Sequence, residues 1–159
     1  MLIRKAKWPD VCFLFDLRNE DAVRKVSFNS KPIDFSTHKK WFEKKLMALD
    51  SLILIVEIDG RPMAQVRFDS MDGHDLTESK EVEINIALTS FFRGKGYGTE
   101  IIRLASAKIF SEYPAVLRVT ALIKPNNMAS LCSFANAGYV SVGYKTEKGQ
   151  TCADMMLSR

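Results

Sequence analysis

Between Val82 and Phe110 the hydrophobic period changes once, and it changes across a basic, glycine-rich loop. Val82, Ile84, Ile86 and Leu88 alternate with Glu83, Asn85 and Ala87, the period of two expected of a strand. From Thr99 to Phe110 the apolar residues Ile101, Ile102, Leu104, Ala105 and Ile109 follow helical spacing. Residues 89–98 between them are dense in Gly, Arg and Lys. Pro114 ends the helical stretch, and Val116–Ile123 predicts a strand. Strand, helix and strand in this order form a crossover joining parallel neighbours in one sheet.

The other segments are arranged around this unit. Leu2–Ala6 predicts a first strand, and Trp8-Pro9-Asp10 a turn into a helix ending near Arg18-Asn19. A short helix over Asp21–Lys25 and a loop follow. Asp34 or Ser36 caps a helix reaching about Ala48, with His38, Phe42, Leu46 and Leu49 on one face. Leu52–Ile58 is apolar throughout, as in a strand buried on both faces. Asp59-Gly60 turns it into a return strand over Met63–Phe68. After Ile123, Pro125-Asn126-Asn127 opens a helix that Gly138 stops, and Tyr139–Tyr144 and Thr151–Leu157 form a last pair of strands. The fold class is therefore mixed α/β (α+β), with antiparallel strands around one parallel crossover.

At 159 residues the chain reads as one domain over 1–159, with enough core to need no disulfide or metal staple. The three cysteines, Cys12, Cys132 and Cys152, are far apart, with no C-x-x-C spacing. No His or Asp cluster suggests a metal. The net charge of +4 has no dense basic run, which argues against a nucleic-acid partner. No signal peptide is visible, and the longest apolar run, Leu52–Val56, is too short to span a membrane, so a cytoplasmic location is expected.

The loop carries the chemistry. In Arg93-Gly94-Lys95-Gly96-Tyr97-Gly98-Thr99 every second residue from 94 to 98 is glycine. Such a backbone reaches φ > 0 and lets a ligand approach closely. Successive N–H groups, the N-terminus of the next helix, and the charges of Arg93 and Lys95 suit a phosphate or pyrophosphate. The dinucleotide pattern G-x-G-x-x-G and the P-loop pattern G-x-x-x-x-G-K-[ST] are both absent. The pattern present is R-x-x-G-x-G, from Arg93 through Gly96 to Gly98. It resembles the acetyl-CoA pyrophosphate loop of the GNAT N-acetyltransferase superfamily. Leu88, the Glu83-Ile84 pair, and Asn127-x-Ala129-Ser130 with Gly138-Tyr139 resemble other parts of that pattern, and the strand order agrees across residues 1–159.

The resemblance implies a GNAT-like central sheet of about seven strands and about four helices, splayed between strands four and five. It implies acetyl-CoA as co-substrate and no metal. The pantetheine arm would pair with the backbone of Ile86, Ala87 and Leu88, the pyrophosphate would meet residues 93–99, and Asn127 would touch the thioester end. A primary amine would attack the thioester directly. Glu83 is the first candidate for its base, ahead of Glu81 and His38. Many family members carry a Tyr seven residues after the Asn, aimed at the CoA sulfur, and here that residue is Phe134. Ser130 is the substitute candidate, with Ser133 and Cys132 as alternatives.

The acceptor side involves Arg18, Asn19, Arg24, His38 and Trp41, with Phe28 and Phe42. This stretch resembles GNAT enzymes that acetylate nucleotide-linked amino sugars, notably the UDP-4-amino-sugar N-acetyltransferases of pseudaminic-acid biosynthesis. The arginines suit a diphosphate and the aromatics a base. The resemblance thus implies transfer to a small-molecule amine, a UDP-amino sugar first, with room for a homodimer. Two alternatives remain: acetylation of a protein N-terminus or another amine such as an antibiotic, and a non-catalytic acyl-CoA-binding module.

Overall fold

The computed structural model describes all 159 residues. Strand β1 is Leu2–Lys5, and a single 3-10 turn, Trp8–Asp10, leads into α1, Val11–Asn19. Helices α2, Asp21–Val26, and α3, Phe35–Met47, follow. Next come β2, Ser51–Ile58, β3, Arg61–Ser70, and β4, Glu81–Leu88. Helix α4 is Tyr97–Glu112, β5 is Arg118–Ile123, and α5 is Met128–Asn136. The hairpin of β6, Val140–Glu147, and β7, Gln150–Ser158, closes the chain.

The strands make one seven-stranded sheet in the order β1-β2-β3-β4-β5-β7-β6. Every neighbouring pair is antiparallel except β4 and β5, the pair that α4 connects. That pair is in register only at Glu81 with Arg118, Val82 with Val119, and Glu83 with Thr120. Beyond Glu83 the two strands diverge, while β4 stays paired with β3 up to Leu88. One edge of β4 from Ile84 to Leu88 thus offers backbone N–H and C=O groups to a wedge-shaped gap.

Strand β2 is apolar at consecutive positions because both sheet faces are covered. Leu52, Leu54 and Val56 pack into the main core with Phe68, Ile101, Ile102 and Ile109. Ile53 and Ile55 pack on the opposite face against Val11 and Leu14 of α1 and Phe42 of α3. Each such side chain, fully buried, contributes on the order of 1.5–3 kcal/mol. Sequence and structure differ mainly at ends. Helix α4 starts at Tyr97 inside the glycine loop, because Gly96 takes φ 83° and serves as its N-cap. Helix α3 stops at Met47, so Leu49 lies beyond its apolar face and is exposed. Asp34, rather than Ser36, caps α3 by accepting from Thr37 N–H at 2.9 Å. No helix is long and apolar enough to cross a membrane.

Candidate active site

The splay opens into two cavities that share walls. One, about 300 Å³, runs along the glycine loop, between Leu88 of β4, Gly94 and Gly96, and Ala129 and Ser133 of α5. The other, about 540 Å³, lies under α1, α3 and the β6–β7 turn. Val26, Ile86, Arg93, Asn127 and Ser130 line both, so the cavities join at the mouth of the splay.

The three loop glycines have different tasks. Gly94 and Gly96 sit at φ 71° and 83°, where L side chains are strained. Gly98 lies inside α4, and a Cβ there would come 3.1 Å from Ser133 Oγ, so it sets how closely α4 approaches α5. The Arg93 guanidinium donates to the carbonyls of Leu88 and Ala22, each at 3.0 Å, tying the end of β4 to α2. Lys95 Nζ stands 4.0 Å from the centroid of the Phe91 ring. Lys95 and Thr99 lie off both cavity walls. Asn127 caps α5: its Oδ1 accepts from Ser130 N–H at 3.3 Å and its Nδ2 donates to Ser130 Oγ at 3.0 Å. Phe134 is buried edge-on against Tyr139, whose hydroxyl pairs with Ser106 at 2.8 Å in the core.

In the larger cavity, β3 and β4 present alternate residues on one face. Gln65, Arg67 and Asp69 stand opposite Ala87, Asn85 and Glu83. Glu83 is half-buried and no hydrogen bond or ion pair holds it, whereas Glu81, the other carboxylate of this strand, accepts from Thr120 at 3.0 Å and pairs with Arg118 at 3.1 Å. Burial raises its proton affinity; Arg67 opposes this and Asp69 and Glu147 add to it. Burial also pushes Asp69 up, but Arg67, Lys45 and Ser51 outweigh it and hold the carboxyl below its ordinary value. Asp69 accepts from Lys45 at 2.6 Å, Ser51 at 2.8 Å and Arg67 Nε at 2.6 Å. The fixed Arg67 guanidinium lies 5.6 Å from the Trp41 ring centroid. Lys148 and Glu147 of the β6–β7 turn complete the wall. Gln150 Nε2 donates to Phe28 O at 3.0 Å, holding that turn to the loop before α3.

The acceptor-side residues separate into two groups. Arg18, His38 and Trp41 line the larger cavity. Asn19 and Arg24 do not: the Asn19 amide clamps both Ile33 backbone groups at 2.9 Å. Arg24 is committed to Asp21 and to the carbonyls of Asn19 and Ser30. Both are spent within the fold, so Arg24, expected at a diphosphate, is not presented to the cavity. The sequence reading missed Arg67, Asp69 and Lys148. The signal for the first two was present in Gln65-Val66-Arg67-Phe68-Asp69, whose polar residues alternate with apolar ones. No group of three or more His, Cys, Asp and Glu residues is placed to hold a metal.

A model of the acetyltransferase (GNAT) domain matches residues 1–140. The chain belongs to the GNAT acetyltransferases. No curated protein matches its sequence. Among solved structures, the aminoglycoside acetyltransferase AAC(6')-Ib with ribostamycin and coenzyme A superposes with TM-score 0.88 at 16% identity, over 99% of this chain and 92% of that one. The ribosomal-protein-alanine N-acetyltransferase from Brucella melitensis gives 0.81 at 20% identity, covering 100% of each chain. A spermidine N-acetyltransferase SpeG chimera from Vibrio cholerae and hSSAT gives 0.83 at 17%, over 99% and 94%. At these identities the likeness is one of fold, and the GNAT splay between β4 and β5 is shared by the present sheet.

Proposed function

We propose that this GNAT domain transfers the acetyl group of acetyl-CoA to a primary amine, and that the amine is the 4-amino group of a UDP-linked sugar. The residues present fit acetyl-CoA. The free edge of β4 from Ile86 to Leu88 suits an amide-bearing arm laid down as an added strand. The smaller cavity leads to the backbone N–H groups and helix N-terminus at Gly94–Gly98, which suit a pyrophosphate. Arg93 braces that loop through its two carbonyl contacts while its charge adds to the positive field.

The observation that carries the reading is Glu83, an unpaired carboxylate at the head of the splay, facing the larger cavity. A base there takes the proton from an incoming ammonium so that the neutral amine can attack the thioester. Ser130, where the two cavities join, holds its Oγ on Asn127 and leaves its O–H free to stabilise the departing thiolate. That position compensates for Phe134, which carries no hydroxyl.

The acceptor class follows from charge. Arg18, Arg67, Lys124 and Lys148 line the larger cavity with Asp69, Glu83 and Glu147, and Asp69 is already neutralised by its ion pairs. Arg67 is spent on Asp69, so a polycation would meet Arg18, Lys124 and Lys148, whereas an anionic molecule bearing one amine would find them complementary. A nucleotide-linked amino sugar has that form, and Trp41 and Phe28 offer stacking faces for its base. The test is thiol release from acetyl-CoA with a UDP-4-amino sugar, spermidine, kanamycin and an alanine-initiated peptide. Turnover on the nucleotide sugar alone is expected. Preferred turnover on any other member overturns the acceptor, and none at all, with CoA bound tightly, overturns catalysis in favour of a binding module.

A further inference from the structure

We infer that the larger cavity recognises an uncharged group that both donates and accepts a hydrogen bond, a sugar hydroxyl or the imide edge of a base, through Arg18 and His38. The inference rests on the amino-sugar nucleotide reading above and deepens it. Two side-chain atoms on the cavity's lining residues are buried without any partner: Arg18 Nη1 and His38 Nε2. A third such atom in the chain, Asp154 Oδ1, lies outside this cavity, on a carboxylate paired with Lys145. Buried polar atoms are rarely left unpaired, because each costs its full desolvation. Both residues line this cavity and Arg18 is near enough for its charge to act on His38, so one ligand group is proposed to supply both missing bonds.

The chemistry of the two atoms restricts that ligand. His38 is only 2% exposed and packs among Phe15, Trp41 and Phe42. Burial lowers its proton affinity, the Val11 carbonyl works the other way, and the nearby charge of Arg18 lowers it further. The ring is therefore neutral at pH 7. The Val11 carbonyl is the acceptor that acts on the ring, so the proton is assigned to Nδ1 on that side and the unpartnered Nε2 is left as a bare lone pair. Arg18 Nη2 donates to the Asn29 carbonyl at 2.8 Å, so Nη1 is left with N–H to give. The wall thus offers one acceptor and one donor. A diphosphate, which only accepts, satisfies Arg18 but sets an anion against the Nε2 lone pair. An ammonium, which only donates, satisfies His38 but repels Arg18. A hydroxyl, or the N–H and C=O of an imide, satisfies both. Arg18 is then not a diphosphate partner, and that charge falls to Lys148 and Lys124.

Calorimetry on the CoA-saturated protein tests this without requiring turnover. One arm compares a UDP-linked 4-amino-4,6-dideoxyhexose with its 3-deoxy analogue. The other compares it with the N3-methyluridine form. Wild type is expected to lose at least tenfold in affinity in one arm, and that arm identifies the group. His38→Leu and Arg18→Leu are each expected to reduce this discrimination to within about twofold, while His38→Gln, which keeps an acceptor, retains most of it. Far-ultraviolet circular dichroism confirms that each variant is folded. Equal affinities in both arms for wild type overturn the inference, because water alone then satisfies the wall. Discrimination that survives in His38→Leu overturns it too. So does an Arg18→Leu variant that weakens every UDP probe equally, which returns Arg18 to the diphosphate. Intact discrimination without thiol release overturns only the catalytic reading. Thiol release without discrimination overturns only this inference. No binding of any probe overturns both.

Discussion

The two halves of the cleft are built from different material. On the glycine-loop side the polar groups offered are mostly main chain: the free edge of β4, the N–H groups of residues 94–98 and the start of α4. On the other side they are side chains, brought from α1, α3, β3, β4 and the β6–β7 turn. Main-chain recognition needs a particular backbone shape, so it constrains a short contiguous run and reads as a motif. Side-chain recognition needs only that remote residues converge, so it scatters from Arg18 to Lys148 and has no local signature. One half suits a co-substrate shared by a whole family, and the other suits an acceptor that differs among its members.

The largest effect is expected at Glu83, on the side-chain half of the cleft at the head of the splay. Glu83→Gln is expected to lower kcat by about 10²–10⁴-fold with the Kd for CoA unchanged. The raised proton affinity of Glu83 fixes the sign of the pH effect. As the proposed base, Glu83 would work only when ionised, so wild-type kcat/KM is expected to fall as pH drops through that raised value, and Glu83→Gln to lose this acid limb. The same shift means that the ionised carboxylate is less comfortable folded than unfolded, so stability from this group is lost as pH rises. Glu83→Gln should therefore melt higher than wild type at pH 7, and a lower melting temperature would contradict the desolvated carboxylate.

The glycine loop should respond in the opposite pattern. Gly96→Asp places a negative charge at the N-terminus of α4, where φ is 83°, and is expected to weaken CoA binding by about a hundredfold, as measured by calorimetry. No protein atom lies within 4 Å of a Cβ at Gly96, so the loss comes from charge and from the ligand's approach, not from internal clash. Gly98→Val, by contrast, meets Ser133 Oγ and should cost stability on the order of 1–3 kcal/mol in urea unfolding. Unchanged CoA affinity in Gly96→Asp would remove the pyrophosphate from this loop.

Smaller effects refine the comparison. Ser130→Ala keeps the cap bond, which uses the Ser130 N–H, so kcat should fall on the order of tenfold while stability changes by less than about 1 kcal/mol. An unchanged kcat would leave Ser130 a helix-start residue only. Arg67→Met removes the cation that opposes the raised affinity of Glu83, so the acid limb of kcat/KM should move to higher pH. A limb that stays in place would uncouple Arg67 from Glu83. Smallest of all, Arg24→Ala should cost about 1 kcal/mol of stability and leave acceptor KM unchanged, because its partners, Asn19 at the end of α1, Asp21 of α2 and Ser30 in the following loop, lie off the cavity.

Most elements were legible because their cause is local. Alternation marked β4, Gly138 marked the end of α5 at φ 100°, and the unbroken apolar run of β2 announced two covered faces. The expectation for α3 overran at Leu49, since a helical spacing continues on paper past the residue where the backbone turns extended at Ala48. The acceptor side was legible only in part. Arg18 and Arg24 look equivalent in sequence, yet one faces the cavity and the other is held by Asp21 and two carbonyls. Arg67 and Asp69 sat in plain view on an alternating strand, but nothing local tells which face of β3 meets a cavity.

Local sequence accounts for the backbone features of this protein: the period change around the glycine loop, the parallel crossover, and a loop in which Gly94 and Gly96 reach φ > 0. Each depends on residues adjacent in the chain, through steric limits on φ and the pattern of apolar burial. Tertiary packing set where β4 and β5 part after Glu83 and Thr120, and which distant side chains face the resulting cavity. It also left Arg18 Nη1 and His38 Nε2 without partners. These outcomes depend on how helices α1 and α3 settle on the sheet, and hydrogen bonding is decided by distances that no local pattern encodes.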